Sequence, residues 1–479
     1  MRTLSHIQIS SQDLSVASPA TVSRVGIIYL EPATSVGTAA MVDSWLLTLP
    51  EAVKQYAPVF KGLFNEMLDD VLDFHKRNLK EFVPTVEPNL WRSVLNIIDG
   101  FLKEYHVSEG QDIDPDRLAA LVHNLEPIFV FAIVWGIGGA TDTDSKAKMD
   151  TWCVCVCVSV CVCVCVCVCV VFNMRELVRI QTYAHTLARA HTHTHRMREK
   201  KNFPAKLTVF DYNYDTAESK WRGWMDTIEQ KPIDPRKPFS DLIIPTPETV
   251  SYAWMIEHIC TQMKHVLCIG PTGTGKTLTV KQKLMTGMDP SVYTPLFLTF
   301  SAQTSANQTQ DILDGKMDKR RKGYFGPPAG KRYAIFVDDM NMPLREVYFA
   351  QPPIEILRQW MDHGGWYNRQ LYQFSNIIDV MFIGAMAPPG GGRQPVTNRF
   401  LRHFNHLAFP EMSDGSLKLV FGSIFSAHLE SYFPPQVKPI VDPLCEASLA
   451  VYNQCLQVWE GGREGGNDGG RKALGERVR

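Results

Sequence analysis

Gly270-Pro271-Thr272-Gly273-Thr274-Gly275-Lys276-Thr277 matches the pattern G-x-x-x-x-G-K-[ST] in full. Glycines at these positions let backbone N–H groups turn inward around phosphate oxygens. A helix opening behind them adds a positive dipole end. Lys276 is placed to reach β- and γ-phosphates, and the Thr277 hydroxyl to ligate Mg²⁺. The run follows the apolar stretch His265-Val266-Leu267-Cys268-Ile269 and leads into a helical pattern, the strand–loop–helix setting this chemistry requires. A merely glycine-rich turn is the plain alternative, and motif and setting together argue against it.

Such a site needs a second half, a buried strand that ends in acid. Tyr333-Ala334-Ile335-Phe336-Val337-Asp338-Asp339 has that form. Asp338 is expected to hold Mg²⁺ through water, and Asp339 to act as a catalytic base or water-positioning carboxylate. Alone, the pair reads as a surface loop cap; next to the glycine loop it reads as part of the site.

The elements that must position these groups follow from patterning. Short apolar runs at His265–Ile269, Leu296–Phe300, Tyr333–Val337, Ile378–Ile383 and His406–Phe409 alternate with helical patterns at Lys276–Met285, Asn307–Leu313 and Pro353–Asp362. This alternation predicts an α/β fold with a parallel sheet covered on both faces. Residues 50–133 read as helical: Val59-Phe60, Leu63-Phe64, Met67 and Val71-Leu72 recur at helical spacing, and further helices are expected over Leu90–Tyr105 and Pro115–Leu125. Leu125 to Gly136 is apolar but short for a membrane span and is expected to be a buried core helix.

Composition is that of a folded, water-soluble chain: 479 residues, 45% hydrophobic and 21% charged. Lys and Arg number 49 against 50 Asp and Glu, a formal net charge of −1, so there is no overall electrostatic case for nucleic acid or a membrane surface as partner. Eight of the 12 cysteines lie in one tract between Cys153 and Cys169; Cys260, Cys268, Cys445 and Cys455 are scattered without metal-ligand spacing. A reducing compartment without a disulfide framework is expected. The first residues lack the apolar core of a signal peptide.

Trp152–Phe172 is long and apolar enough to span a bilayer, but strict Cys-Val alternation is β-prone and lacks an aromatic belt, so a membrane anchor is not expected. A TG dinucleotide repeat encodes Cys-Val in every frame, and a CA repeat encodes the run His191-Thr192-His193-Thr194-His195. We hypothesise that about 151–201 is translated simple-sequence DNA, such as a retained intron; a mature transcript carrying the repeat would refute this. Glu460–Gly470 is glycine-rich, and disorder is expected there.

Taken with these motifs, the sequence resembles the AAA+ ATPases and, within them, the dynein heavy chains. Pro19-Ala20-Thr21-Val22-Ser23-Arg24 with Gly26–Pro32 looks like the end of the second large subdomain of the dynein motor. Gly270–Thr277 with Phe336–Pro343 looks like the third module, and Pro388–Arg393 through Asn398–Phe404 resembles that module's later strand and finger region. The DDMNMP and PPGGGR wording is more similar to axonemal than to cytoplasmic heavy chains.

The resemblance covers about residues 14–150 and 204–458. It implies an AAA+ P-loop NTPase sheet with helical small subdomains, interrupted by a low-complexity segment. The implied organisation is 1–33 for the end of the second large subdomain, 34–150 for its small subdomain and 151–203 for the low-complexity segment. Then come 204–240 as a connector, 241–410 as the third large subdomain, 411–459 as a partial small subdomain and 460–479 as the tail. The implied cofactors are ATP and Mg²⁺. The implied setting is a microtubule motor of cilia and flagella, in the cytoplasm and axoneme. Its expected partners are the remaining heavy-chain modules, intermediate and light chains, and microtubules through a stalk outside this chain. The chain is accordingly expected to be a fragment.

In that frame Arg24 and Arg399 occupy arginine-finger positions facing neighbouring modules, with Arg402 as the other candidate for the second of these roles. Ile244, in Ile243-Ile244-Pro245-Thr246, resembles the loop that packs on adenine; plain strand packing is the alternative. Two departures stand out. Asp339 replaces the usual Glu, and Ala387 stands at the usual polar sensor position. Both favour slow hydrolysis and a regulatory third module. A nucleotide-binding module without turnover, a membrane-anchored ATPase and a product of a faulty gene model remain competing readings.

Overall fold

The computed structural model describes residues 18–22, 37–106, 115–154, 207–228, 236, 242, 244–347 and 349–464. The Cys-Val and Thr-His tracts beyond residue 154 and the tail beyond residue 464 lie outside the described residues.

The N-terminal part is helical: α1 (Thr38–Leu47), α2 (Ala57–Asn78), α3 (Glu87–Leu102), α4 (Pro115–Gly136) and α5 (Thr143–Val154). In α2, Phe60, Phe64, Met67 and Val71 recur every three to four residues and are the buried stripe. Its last turn carries His75, Lys76 and Arg77, the charge sign that a helix C-terminus favours. Pro115–Leu125 and the apolar run to Gly136 form one helix of 22 residues, with Pro127 inside it, where the sequence suggested separate segments. Ala120–Ala140 passes a length-and-hydropathy test for a membrane span, yet 78% of that window is buried in the protein core.

A five-stranded parallel sheet follows, in the order β11-β3-β10-β7-β4. Its strands are β3 (His265–Ile269), β4 (Tyr293–Thr299), β7 (Arg332–Asp338), β10 (Val380–Met386) and β11 (Phe404–Ala408). The register pairs Ile269 with Met386 and with Ala408, so the three strand ends lie side by side. Side chains alternate between two cores, as the two-residue strand period requires. Val266 and Cys268 of β3 and Phe336 of β7 face the core shared with the N-terminal helices. Leu267, Ile269, Ile335 and Val337 face the other core, under helix α9 (Pro352–His363). A sheet buried on both faces explains why these strands read as unbroken apolar runs.

The N-terminal helices and the sheet share one hydrophobic core running from Val42 to Phe409. Asn96 Nδ2 of α3 donates to Asn405 Oδ1 of β11 at 2.8 Å, a buried bond joining the two parts. The expected connector folds as a hairpin, β1 (Tyr212–Asp215) against β2 (Lys220–Gly223). Tyr214 Oη donates to Asn124 Oδ1 of α4 at 2.6 Å, and Asn124 Nδ2 donates to Thr216 O at 3.0 Å. Helix α6 (Pro247–Cys260) then separates Ile244 from β3, so Ile244 leads into a helix and not into the first strand. Thr246 caps α6, accepting from Thr249 N, with Pro247 in the first turn.

A second, four-stranded sheet, β5-β6-β9-β8, was not anticipated from the sequence. It joins β5 (Asp318–Arg321) and β6 (Tyr324–Gly326) to β8 (Gly365–Tyr367) and β9 (Phe374–Ile377). Helix α7 (Lys276–Gln282) follows the glycine loop and α8 (Ala306–Asp314) follows β4; α10 (Asn398–Leu401) precedes β11. Two C-terminal helices, α11 (Asp414–Tyr432) and α12 (Val441–Glu464), complete the order.

Candidate functional site

Strand β3 delivers the glycine loop to the carboxyl ends of the central strands, where open α/β sheets place their ligands. Gly270 N donates to Met386 O at 3.2 Å, so the loop leaves from between β10 and β11. A Cβ on Gly270 would sit 2.0 Å from Phe409 O, a backbone atom with no room to yield. Gly273 and Gly275 have φ of 88° and 77°, the left-handed region that glycine enters without steric cost. The inner frame of the loop is Pro271, whose carbonyl accepts from Thr274 Oγ1 at 3.0 Å.

Lys276 is folded back on this frame. Its Nζ donates to Gly270 O at 2.8 Å, to Pro271 O at 2.5 Å and to Thr274 Oγ1 at 3.2 Å. Burial holds its ammonium below the usual lysine range, and the charge of Arg393 pushes the same way. The neighbouring Thr277 Oγ1 donates to Asp338 Oδ1 at 3.0 Å, joining α7 to the end of β7. Asp338 Oδ1 also accepts from Asp339 N at 3.1 Å.

Asp339 has φ of 50°, a left-handed conformation unusual for a residue with a Cβ and better tolerated by Asp than by most. The turn is held from behind: Met340 N donates to Ala385 O at 3.0 Å, and Asn341 Nδ2 donates to Ala387 O at 2.7 Å. Asn341, which sequence reasoning gave no role, thus locks the end of β7 to the end of β10. Its own side chain is 1% exposed.

Thr272, Gly273, Gly275, Lys276 and Thr277 line one cleft of about 400 Å³ with Asp338, Asp339 and Ala387. Arg393 lines it too and was not singled out as a site residue. The signal was present in the sequence as three glycines directly before an arginine. Ile244 is half-buried and does not line this cleft. Arg399 lies exposed on α10, outside the cleft and without an ion-pair partner among the described residues. Arg402 is occupied, its Nη2 donating to Asp362 Oδ1 at 2.5 Å. Arg24 lies outside the described residues.

The arrangement suits a polyphosphate. At the two left-handed glycines no side chain stands between the backbone and a ligand. One lysine stands ready on loop carbonyls, a hydroxyl and a carboxylate sit in contact, and a second carboxylate lies beside them. Thr277 and Asp338 are two oxygen donors that could hold Mg²⁺, which takes one or two protein ligands and leaves the rest to phosphates and water.

Two family models match the chain. One described as "P-loop containing dynein motor region" matches residues 231–412, and one described as "Dynein heavy chain AAA lid domain" matches residues 60–226. Dynein axonemal heavy chain 1 of Mus musculus is 38% identical over 92% of this chain and 10% of its own length. The Homo sapiens protein of the same name gives the same identity and coverage. Dynein axonemal heavy chain 12 of Rattus norvegicus is 35% identical over 93% of this chain and 14% of its own length. The chain therefore spans about a tenth of the length of the first of these relatives.

Proposed function

We propose that this chain, which belongs to the dynein heavy-chain family and carries its ATP-binding AAA+ segment, works as the third nucleotide module of an axonemal motor. The observation that carries this reading is the contact between Thr277 and Asp338 beneath the same cleft as Lys276. Motif residues far apart in sequence meet at the one place where a nucleotide phosphate chain and its cation would be held.

On this reading Lys276 exchanges its loop carbonyls for the β- and γ-phosphates, and backbone N–H groups of the loop hold the remaining phosphate oxygens. Thr277 and Asp338 hold Mg²⁺, which when bound neutralises phosphate charge. Asp339 orients the attacking water and accepts its proton. Ile244 lies ahead of α6 as a packing surface for the adenine ring. Arg24 and Arg399 act outward, each toward a nucleotide held by another module. The guanidinium of Arg399, exposed and without an ion-pair partner among the described residues, suits that role.

The module hydrolyses slowly and serves regulation. Ala387 offers no polar group to the cleft, and Asp339 is one methylene shorter than Glu and held in a left-handed turn. The proposed partners are the other heavy-chain modules, intermediate and light chains, and microtubules, within the cytoplasm and axoneme of cilia or flagella. The proposed division keeps 1–33 and 34–150 with the second module, and 241–410 and 411–459 with the third. Steady-state ATPase assays on the whole chain test the regulatory reading. Expected is nucleotide binding with turnover far below the usual range of enzymes, about 1–10³ s⁻¹. Turnover within that range by a single module would refute it.

A further inference from the structure

Arg393 reaches the glycine loop from a different part of the chain. Gly390, Gly391 and Gly392 have φ of 129°, 58° and 90°, three consecutive left-handed or otherwise glycine-favouring conformations. The turn closes on itself, with Gly390 N donating to Arg393 O and Arg393 N to Gly390 O, both at 3.1 Å. Directly after it, Gln394 N donates to Asn341 O at 2.9 Å, fixing the turn to the loop that carries Asp338 and Asp339. The result is an arginine at the cleft whose Nη2 donates to Thr272 Oγ1 at 3.2 Å.

Its guanidinium has capacity to spare. Nε is buried and has no hydrogen-bond partner, and the side chain makes no ion pair among the described residues. Lys276 is the other cation lining the cleft. Asp338 and Asp339 line the same cleft, but neither pairs with Arg393, whose guanidinium therefore keeps donors for an incoming anion. The position that could otherwise supply a neutral donor, residue 387, is an alanine. The side-chain amide of Asn341 spends its Nδ2 on Ala387 O.

We propose that Arg393 is a triphosphate-sensing residue: it binds the terminal phosphate of the nucleotide from within the same chain, in the role that Ala387 cannot fill. The proposal rests on the reading of the cleft as an ATP site. A guanidinium suits this role because its planar fork pairs with two phosphate oxygens at once. Thr272 then serves as the resting partner of Arg393 when the terminal phosphate is missing. The turn stays tied to Asn341, and the long arginine side chain changes between the two partners by rotating about its own bonds. Arg393 therefore sets the preference for triphosphate over diphosphate.

The test is calorimetric titration of the whole chain with Mg²⁺ and either a non-hydrolysable ATP analogue or ADP. The variants are Arg393→Ala, Arg393→Gln, Arg393→Lys and Lys276→Ala, each checked for native circular dichroism. Arg393→Ala and Arg393→Gln are expected to lose about tenfold or more in affinity for the triphosphate, the scale of a lost charge-assisted bond, with ADP affinity unchanged. Arg393→Lys keeps the charge without the fork and retains only part of the preference, and Lys276→Ala loses both ligands. Native affinity for both nucleotides in Arg393→Ala and Arg393→Gln, with Lys276→Ala still defective, overturns the proposal and leaves the ATP site standing. Equal loss of both nucleotides also overturns it, by making Arg393 a prop for Thr272. A native chain that binds neither nucleotide takes the ATP-site reading down first and this proposal with it.

Discussion

Thr277 Oγ1 donates to Asp338 Oδ1 across 3.0 Å, and this single bond brings the glycine loop and the acidic strand end into one site. Each group is a hard oxygen donor of the kind Mg²⁺ selects. Replacing Thr277 by Ala should therefore lower ATP affinity about tenfold in Mg²⁺, the cost of a lost charge-assisted contact, and hardly at all in chelator. Titrations with and without EDTA check this. Equal loss in both conditions would remove the metal role of Thr277.

Gly270 has no room for a side chain. A Cβ there would lie 2.0 Å from Phe409 O, so the loop or the end of β11 must move. Gly270→Ala should destabilise the fold by about 2 kcal/mol, as overpacked sites do, and weaken nucleotide binding at least as much as Thr277→Ala. Denaturant melts and titration of the same variant measure both. A native-like melt with native affinity would contradict this account of Gly270.

In the proposed function Asp339 acts on the attacking water and not on the nucleotide. Asp339→Asn should leave affinity within about twofold and cut turnover by about a hundredfold, the usual worth of a general base. Asn tolerates the left-handed φ of 50°, so the variant should fold. Unchanged turnover in single-turnover assays would remove the base role from this residue.

Lys146 of α5 is half-buried and joins the helical region to the sheet; the loss of water around its ammonium lowers its pKa to about 7, partly offset by Glu248. Its Nζ donates to Tyr252 Oη at 2.8 Å and to Ala408 O at 3.1 Å. Between about 7 and the ordinary 10.5, the unfolded chain holds a proton that the folded chain has released. Unfolding then takes up a proton, so stability should rise with pH across this window and carry the full cost of burying the ammonium below it. The slope attributable to Lys146 is about 1 kcal/mol per pH unit. Denaturant melts from pH 7 to 9 should show it in the native chain and not in Lys146→Met. Parallel curves would place the charge elsewhere.

Much of this was legible in advance because the central strands are buried on both faces. His265–Ile269 was read with the bounds observed, and Tyr333–Val337 extends by one residue at each end to Arg332–Asp338. The glycine loop and Asp338 were readable because their chemistry restricts residue type at fixed spacing. The small sheet was not. Asp318–Arg321 is wholly charged and carries no apolar alternation, so only its partner strand defines it. Helix α6 went unread although Thr246 and Pro247 carry the cap and first-turn residues that announce a helix. Arg393 and Asn341 escaped because their positions depend on turn geometry at Gly390–Gly392 and on a register between β7 and β10. Neither leaves a period in the sequence.

The helical region shares its core with the sheet, so binding is properly measured on the whole chain. The most direct test is calorimetric titration of residues 1–479 with Mg·ATP, alongside Lys276→Ala. Saturable binding at one site per chain, abolished by Lys276→Ala in a protein with native circular dichroism, is the expected result. A folded native chain that does not bind Mg·ATP, or a Lys276→Ala variant that binds as tightly as the native chain, would contradict it.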